Sequence, residues 1–188
     1  VAFYIVPLIN AMIRVGTQAE KGRLFLGLIN GHEMVPCNKR GAKGTMEEVA
    51  VESVRECVNA RTHQNKDKES AVARIESKIF KYDLLENQIL FVRLDEEDVF
   101  PPVLNGLVAT QLAEKYKHPT IVARLNDDGM IKGSIRGVSN SEFNNFRSYL
   151  NGTGLFDFVQ GHESAAGCAI PEKNLRKLHE LANKELSE

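Results

Sequence analysis

Two short segments of the chain contain residue types that bind phosphate groups. Residues 160–167 have the sequence Q-G-H-E-S-A-A-G, which places a histidine between a glycine and a run of small residues. Residues 133–137 have the sequence G-S-I-R-G, which places a serine and an arginine two positions apart. Imidazole, hydroxyl and guanidinium groups all donate hydrogen bonds to phosphate oxygens, and small residues leave room for a polymer backbone. Together the segments predict a phosphodiester-binding surface.

His162 is the candidate for chemistry in the first segment. Gly161 before it has no Cβ, so the backbone can approach a ligand closely. The imidazole can donate to a phosphate oxygen or assist a leaving group. An exposed histidine in a tightly packed loop would have the same sequence, so the residues alone leave both interpretations open.

Ser134 and Arg136 are the candidates in the second segment. Two positions apart on a predicted strand, they share one face, and the arginine offers a two-pronged donor for phosphate. Gly133 and Gly137 on either side favour an accessible strand. The polar outer face of an ordinary hairpin is the alternative interpretation.

Three other charged groups give weaker signals. Arg14 follows Asn10 by one helical turn and could reach a terminal phosphate or brace a helix junction. The basic residues of 39–43 could follow a nucleic-acid backbone, although a solvated loop explains them equally simply. The carboxylates of 95–98 are consecutive and point in different directions, which favours a solvated turn over a metal site.

Composition restricts the class of protein. The 188 residues carry a formal net charge of −1, so any phosphate binding must be local. Cys37, Cys57 and Cys168 are widely spaced, which predicts free thiols in a reducing, cytoplasmic compartment. No apolar run is long enough to cross a bilayer, so no membrane association is expected.

The first half of the chain is predicted to be helical. Thr17 and Glu20 form a capping-box pattern before a helix that ends near Asn30-Gly31, and residues 31–44 are predicted to be a loop. Thr45 and Glu48 repeat the capping-box pattern. Apolar residues then recur at helical spacing without an intervening glycine or proline, which favours one long connector helix.

The second half alternates predicted strands and helices and indicates an α/β fold, a mixed sheet flanked by helices. Strands are predicted at residues 89–92, 120–125, 130–137 and 168–170, with a hairpin turn at 127–129. Helices are predicted from Pro101-Pro102 to Tyr116, from about Ser141 to Leu150, and from Pro171 onward, with a glycine-rich loop before the last strand.

These motifs, and their order along the chain, resemble those of a known family. Residues 160–167 are similar to the G-G-H-x-x-A-A-G signature of the DHH-associated domain in DHH-family phosphoesterases, and residues 133–137 to its G-S-x-R-S strand. Residues 7–14, P-L-I-N-A-M-I-R, resemble the P-R-L-N-A-A-G-R segment of RecJ-like single-stranded-DNA exonucleases. Residues 59–61, N-A-R, and residues 106–112, G-L-V-A-T-Q-L, follow along the chain in the same order as in those enzymes. The second of these segments resembles their G-I-V-A-S-R-L helix.

The resemblance implies a Mn²⁺- or Mg²⁺-dependent enzyme that degrades single-stranded DNA from the 5′ end, with DNA-repair or replication proteins as possible partners. In that family the metal ligands and the Asp-His-His motif lie in an N-terminal domain. This chain contains no Asp-His-His and begins at an apolar residue without methionine. It therefore looks like the C-terminal half: residues 1–88 as entry and connector helix, and residues 89–188 as the DHH-associated substrate-binding domain. Alone it is expected to bind single strands weakly and to cleave nothing.

The resemblance also implies roles for individual residues. His162 would be the catalytic contact to the scissile phosphate, Gly161 would admit that phosphate, and Ser134, Arg136 and Arg14 would hold phosphates near the 5′ end. A metal-bound water in the N-terminal domain would be the nucleophile.

Some positions depart from the family pattern and indicate a divergent member, of the kind that phages or mobile elements encode. Gln160 replaces the first glycine of the signature, and Leu8 and Ile13 replace an arginine and a glycine. Gly137 stands where a serine is usual, and Phe100-Pro101 replaces a Trp-His pair.

Two other functions remain open. An oligoribonuclease or cyclic-dinucleotide phosphodiesterase of the same superfamily would carry the same motifs, although the long connector argues against these more compact proteins. A non-catalytic nucleic-acid-binding scaffold would keep this domain without the metals.

Overall fold

The computed structural model describes residues 3–138 and 145–187 of the chain. The chain divides into two compact units, Val1–Asp67 and Lys68–Glu188, and each unit is described by itself. The boundary between these units falls within a long helix, whereas the predicted functional division lies after residue 88, and that division stays a prediction. No helix among the described residues is both long and apolar enough to span a membrane.

The first unit is mainly helical. It contains α1 (Ile5–Val15), α2 (Gln18–Ile29), a hairpin of β1 (Met34–Pro36) and β2 (Met46–Glu48), and the first part of α3 (Val49–Lys81). The predicted capping box of α2 is confirmed: the Glu20 backbone N–H donates to Thr17 Oγ1, and Glu20 Oε2 accepts from the Thr17 N–H at 2.7 Å. Met12 and Leu24 form a small core with Cys57 and Ala60.

The second predicted capping box is wrong. Residues 46–48 form β2, which pairs antiparallel with β1, and α3 begins only at Val49. The Thr45 hydroxyl donates to the Ala42 carbonyl at 2.7 Å instead of capping a helix. Strand pairing thus prevails over the local capping signal, and it also places a strand inside the predicted loop at 31–44.

The long connector helix is confirmed. α3 runs without interruption for 33 residues, including the polar stretch around residues 62–70. A segment without glycine or proline lacks the residues that most readily break a helix, which agrees with this continuity.

The second unit contains the predicted mixed sheet. Its strands are β3 (Leu90–Leu94), β4 (Thr120–Leu125), β5 (Met130–Arg136), β6 (Phe158–His162) and β7 (Ala165–Pro171), in the order β3-β4-β5-β7-β6. β3 and β4 are parallel, joined through α4 (Asn105–Tyr116), and the other pairs are antiparallel. The predicted glycine-rich loop before the last strand is in part β6, so the Q-G-H-E-S-A-A-G segment is a hairpin rather than a loop.

Helices lie on both faces of the sheet. One face packs with Phe146 and Leu150 of α5 (Phe146–Gly152) and with Leu178 of α6 (Leu175–Glu185). α4 packs on β4 and β5. The predicted start of the fifth helix near Ser141 lies outside the described residues, since residues 139–144 are among those not described.

The acidic run after β3 is not a purely solvated turn. The Asp98 side chain is only 3% exposed, and it accepts from Lys78 Nζ and from the Asp95 backbone N–H. Burial alone would lower the pKa of Lys78, but its hydrogen bonds to Asp95 and Asp98 raise it. The expectation of a solvated turn is therefore wrong for Asp98, because a partly buried lysine from α3 supplies its partner.

The atoms around Gly133 explain why the G-S-I-R-G segment begins with glycine. A Cβ at Gly133 would lie 2.1 Å from the Val122 carbonyl oxygen and 2.5 Å from the Ala123 Cα, so the glycine admits β4 rather than exposing β5. Gly133→Ala is expected to lower the free energy of unfolding by about 3 kcal/mol, because the obstructing atoms are backbone. Urea denaturation followed by circular dichroism measures the loss. Gly152→Ala, where a Cβ meets nothing within 4 Å, is the control, and equal stability of both variants would contradict this packing role.

Candidate functional site

The register of three strands places the candidate residues in two rows across the sheet. Arg136 of β5 is opposite Ala165 of β7, which is opposite His162 of β6. Directly opposite residues of antiparallel strands point to the same face of a sheet. Arg136 and His162 therefore share one face, with the alanine between them.

The neighbouring row repeats the arrangement. Ser134 is opposite Gly167, which is opposite Gln160. We call these six residues the open face: Ser134, Arg136, Gln160, His162, Ala165 and Gly167.

The middle strand of the open face, β7, carries only small side chains there, and polar side chains of β5 and β6 lie on either side of it. Gln160 and His162 are exposed, and Ala165 and Gly167 are half-buried. A Cβ at Gly167 would meet only two carbonyl oxygens, at 3.8 and 4.0 Å. Strands lie about 4.8 Å apart, so β5 and β6 are separated by about 10 Å. The open face thus has polar side chains of β5 and β6 on either side of a strip that carries only small side chains.

α4 holds Arg136 at one edge of the open face. Arg136 Nε donates to Thr110 Oγ1 at 3.0 Å, and its Nη1 donates to the Ile135 carbonyl at 2.7 Å. A Cβ at Gly106 would lie 2.4 Å from Arg136 Nη2, so the guanidinium lies against the first turn of α4 where only a glycine leaves room. Residues 106–112 resemble a family helix, but nothing in that resemblance assigns a role to Gly106 or Thr110. Their spacing of one helical turn was the available signal.

Gly161 and His162 lie at the other edge. Gly161 has φ of +140°, and a Cβ there would lie 2.7 Å from the Ala166 Cα and 2.8 Å from the Ala165 carbonyl oxygen. The close approach that Gly161 permits is therefore to β7, and its predicted role of admitting a phosphate stays a prediction. The His162 ring makes no hydrogen bond with any residue of 3–138 or 145–187.

Arg14 lies in the first unit, whereas the other four predicted site residues lie together in the second. It is half-buried in the last turn of α1. Its side chain forms no hydrogen bond or ion pair within the described part of the chain, so it has donors available for a ligand.

One group of potential metal ligands occurs among the described residues: Cys37, Glu47 and Glu52, whose ligand atoms lie within 4.8 Å of one another. Arg55 forms ion pairs with both carboxylates, and its guanidinium lowers the pKa of Glu47 to about 2. Mn²⁺ and Mg²⁺ prefer oxygen ligands free of such a competing cation, and a thiol is a poor ligand for them. These residues do not fit either ion.

Comparison with known proteins supports the resemblance. No family model matches the sequence. Over 190 residues the chain is 36% identical to YorK of Bacillus subtilis (strain 168), assigned as a prophage-derived single-strand DNA-specific exonuclease, and the alignment covers 99% of this chain and 33% of YorK. YorK of Bacillus phage SPbeta matches equally. The chain thus spans about a third of the length of these curated relatives.

Comparison with solved structures shows a RecJ-like fold. RecJ of Thermus thermophilus in complex with Mg²⁺ matches with a TM-score of 0.60 and 21% identity over 99% of this chain and 25% of that chain. An exonuclease RecJ bound to manganese matches with a TM-score of 0.60 over 100% of this chain and 40% of that chain. The predicted fold class and the predicted RecJ-like resemblance are confirmed.

The ion pairs of Arg55 with Glu47 and Glu52 lead to a prediction about metal binding. The melting temperature of this chain is expected to be the same in EDTA, MnCl₂ and MgCl₂, because Arg55 already pairs with both carboxylates. Thermal unfolding followed by circular dichroism is the measurement. A rise in melting temperature with Mn²⁺ that disappears in Glu47→Gln, but persists in the exposed control Glu69→Gln, would show that these ion-paired carboxylates do hold the ion.

Proposed function

We propose that this chain, which is RecJ-like in sequence and fold, is the substrate-binding part of a metal-dependent exonuclease that degrades single-stranded DNA from the 5′ end. The observation that carries the proposal is the open face, where a serine and an arginine face a histidine across a strip of small residues. The 36% identity with a protein assigned as a single-strand DNA-specific exonuclease supports DNA as the polymer.

The shape and chemistry of the open face favour binding through the backbone of the strand. An open strip of small residues suits an extended single strand, because a closed pocket would admit only a terminus or a small molecule. None of the six residues of the open face is a phenylalanine, tyrosine or tryptophan, so among them His162 is the one ring on which a base could stack. Donors aimed at phosphates predict binding with little sequence preference and a strong dependence on salt.

Each site residue has a proposed role. Ser134 and Arg136 hold phosphates on the β5 edge, and His162 contacts the scissile phosphate on the β6 edge. Arg14, with its available donors, contacts phosphates near the 5′ end. The cofactor is proposed to be Mn²⁺ or Mg²⁺. Since Cys37, Glu47 and Glu52 do not fit these ions, we assign no metal-dependent step to the described residues.

Titration of this chain with a 5′-phosphorylated single-stranded oligonucleotide tests the proposal. Affinity is expected to fall with salt and to drop about tenfold or more in Arg136→Ala and in His162→Ala, because each variant removes a hydrogen bond to a charged group. Fluorescence anisotropy gives the affinities. Under the same conditions with Mn²⁺, the chain is expected to release no nucleotides.

Two controls make this result interpretable. Arg93 lies on β3, the opposite edge strand, and pairs with Glu172. Arg93→Ala removes this exposed arginine and should bind as the parent does. Arg136→Lys keeps the charge if Arg136→Ala proves unstable by circular dichroism. Parent-like affinity in both site variants, or no binding by the parent, would contradict the proposed function.

The contacts of Arg136 with α4 predict a second effect on the same affinity. Thr110→Val removes the acceptor of Arg136 Nε and should weaken binding about two- to tenfold, while Thr110→Ser should restore it. Gly106→Ala should displace the guanidinium with little loss of stability, since the obstructed atom is the end of a flexible side chain. Gly22→Ala, at a helical glycine with open space around it, is the matched control. If Gly106→Ala and Thr110→Val both bind like the parent, α4 does not position Arg136 for the ligand.

A further inference from the structure

Arg147 of α5 makes contacts on both sides of His162. Its Nη1 donates to the Gly161 carbonyl at 2.9 Å, and its backbone N–H donates to the Glu163 carbonyl at 2.9 Å. The residues before and after the histidine are therefore both held by one arginine. None of the motifs in the sequence includes this position.

The contact with Gly161 places the guanidinium at the outer edge of the sheet. β6 is an edge strand, and the Gly161 carbonyl accepts from a side chain instead of a further strand. A donor to that carbonyl occupies roughly the place where the next strand would lie, about 4.8 Å beyond β6. Arg147 thus lies at the outer edge of β6, one residue along the strand from His162, which ends the row of Arg136 and Ala165.

The rest of the Arg147 guanidinium has donors to spare. A guanidinium carries five N–H groups, and one of them is used by Gly161. Arg147 forms no other side-chain hydrogen bond and no ion pair with a residue of the described ranges. A half-buried arginine without a carboxylate partner in the described ranges leaves a positive charge at the outer edge of β6, next to His162.

We propose that Arg147 is a further phosphate-binding residue, which extends the open face beyond the edge of β6. The inference rests on the proposed function and names the same ligand, the backbone of a single DNA strand. The distance from Arg136 across β7 and β6 to the outer edge of the sheet is about three strand spacings, about 14 Å. The ligand therefore runs across the strands, over His162 and off the edge of the sheet.

Substitutions of Arg147 can separate its charge from its hydrogen bond to Gly161. Arg147→Gln keeps a donor for the carbonyl but removes the charge, and Arg147→Lys keeps the charge. Binding of a 5′-phosphorylated twelve-residue oligothymidylate to this chain is measured by anisotropy over a series of salt concentrations. The plot of log affinity against log salt is expected to lose about 0.7 of its slope in Arg147→Ala and Arg147→Gln, the contribution of one single-strand phosphate contact. Arg147→Lys should retain the slope.

Arg176→Ala is the matched control, because it removes an exposed arginine of α6 that pairs with Glu180. Full affinity and slope in Arg147→Gln would overturn the proposal, since the arginine would then only hold the backbone around His162. Parent-like binding in Arg147→Ala, combined with a loss in Arg136→Ala, would overturn this inference and leave the proposed function intact. No binding by the parent chain would overturn both.

Discussion

The register of β5, β7 and β6 is the constraint on which the candidate site depends. Opposite the open face, the same three strands point Ile135, Ala166 and Val159 into the core, where all are buried. A slip of one residue in either ladder would exchange these apolar side chains with the polar residues of the open face. The cost of exposing that core and burying an arginine keeps the register in place. The placement of the candidate phosphate-binding side chains is therefore decided by packing on the other side of the sheet.

The glycines of the two motifs illustrate the same dependence. Glycine before a candidate ligand-binding residue suggests room for the ligand, and the sequence favours that interpretation for both Gly133 and Gly161. In the structure, the missing Cβ of Gly133 is replaced by the backbone of β4, and that of Gly161 by the backbone of β7. Space above the sheet comes instead from Ala165 and Gly167 on the middle strand. The motif thus encodes close strand packing at some positions and an accessible surface at others.

The features that could be predicted from the sequence are those set by residues close together in the chain. The α2 capping box and the continuity of α3 depend on residues within one or a few turns, and both are confirmed. Thr45 failed as a cap because residues 34–36, earlier in the chain, pair with the strand that follows it. β6 was missed because Gln160-Gly161-His162 lacks the alternation of apolar and polar residues that marks a strand. That Ser134 and Arg136 share a face could be foreseen, but their rows with Gln160 and His162 required the register of β7.

The fixation of Arg136 by Thr110 and by the Ile135 carbonyl has a consequence for the entropy of binding. A free arginine side chain carries about 2 kcal/mol of rotamer entropy, part of which is lost whenever a ligand immobilises it. Here that freedom is already given up when the domain folds, so a phosphate of the proposed ligand would meet a guanidinium that is oriented in advance. The side chain would also stay in position after that phosphate departs. Under the proposed function, a DNA strand that advances by one nucleotide would bind the same guanidinium in the same orientation. The entropy cost of ordering this side chain would not recur at each step.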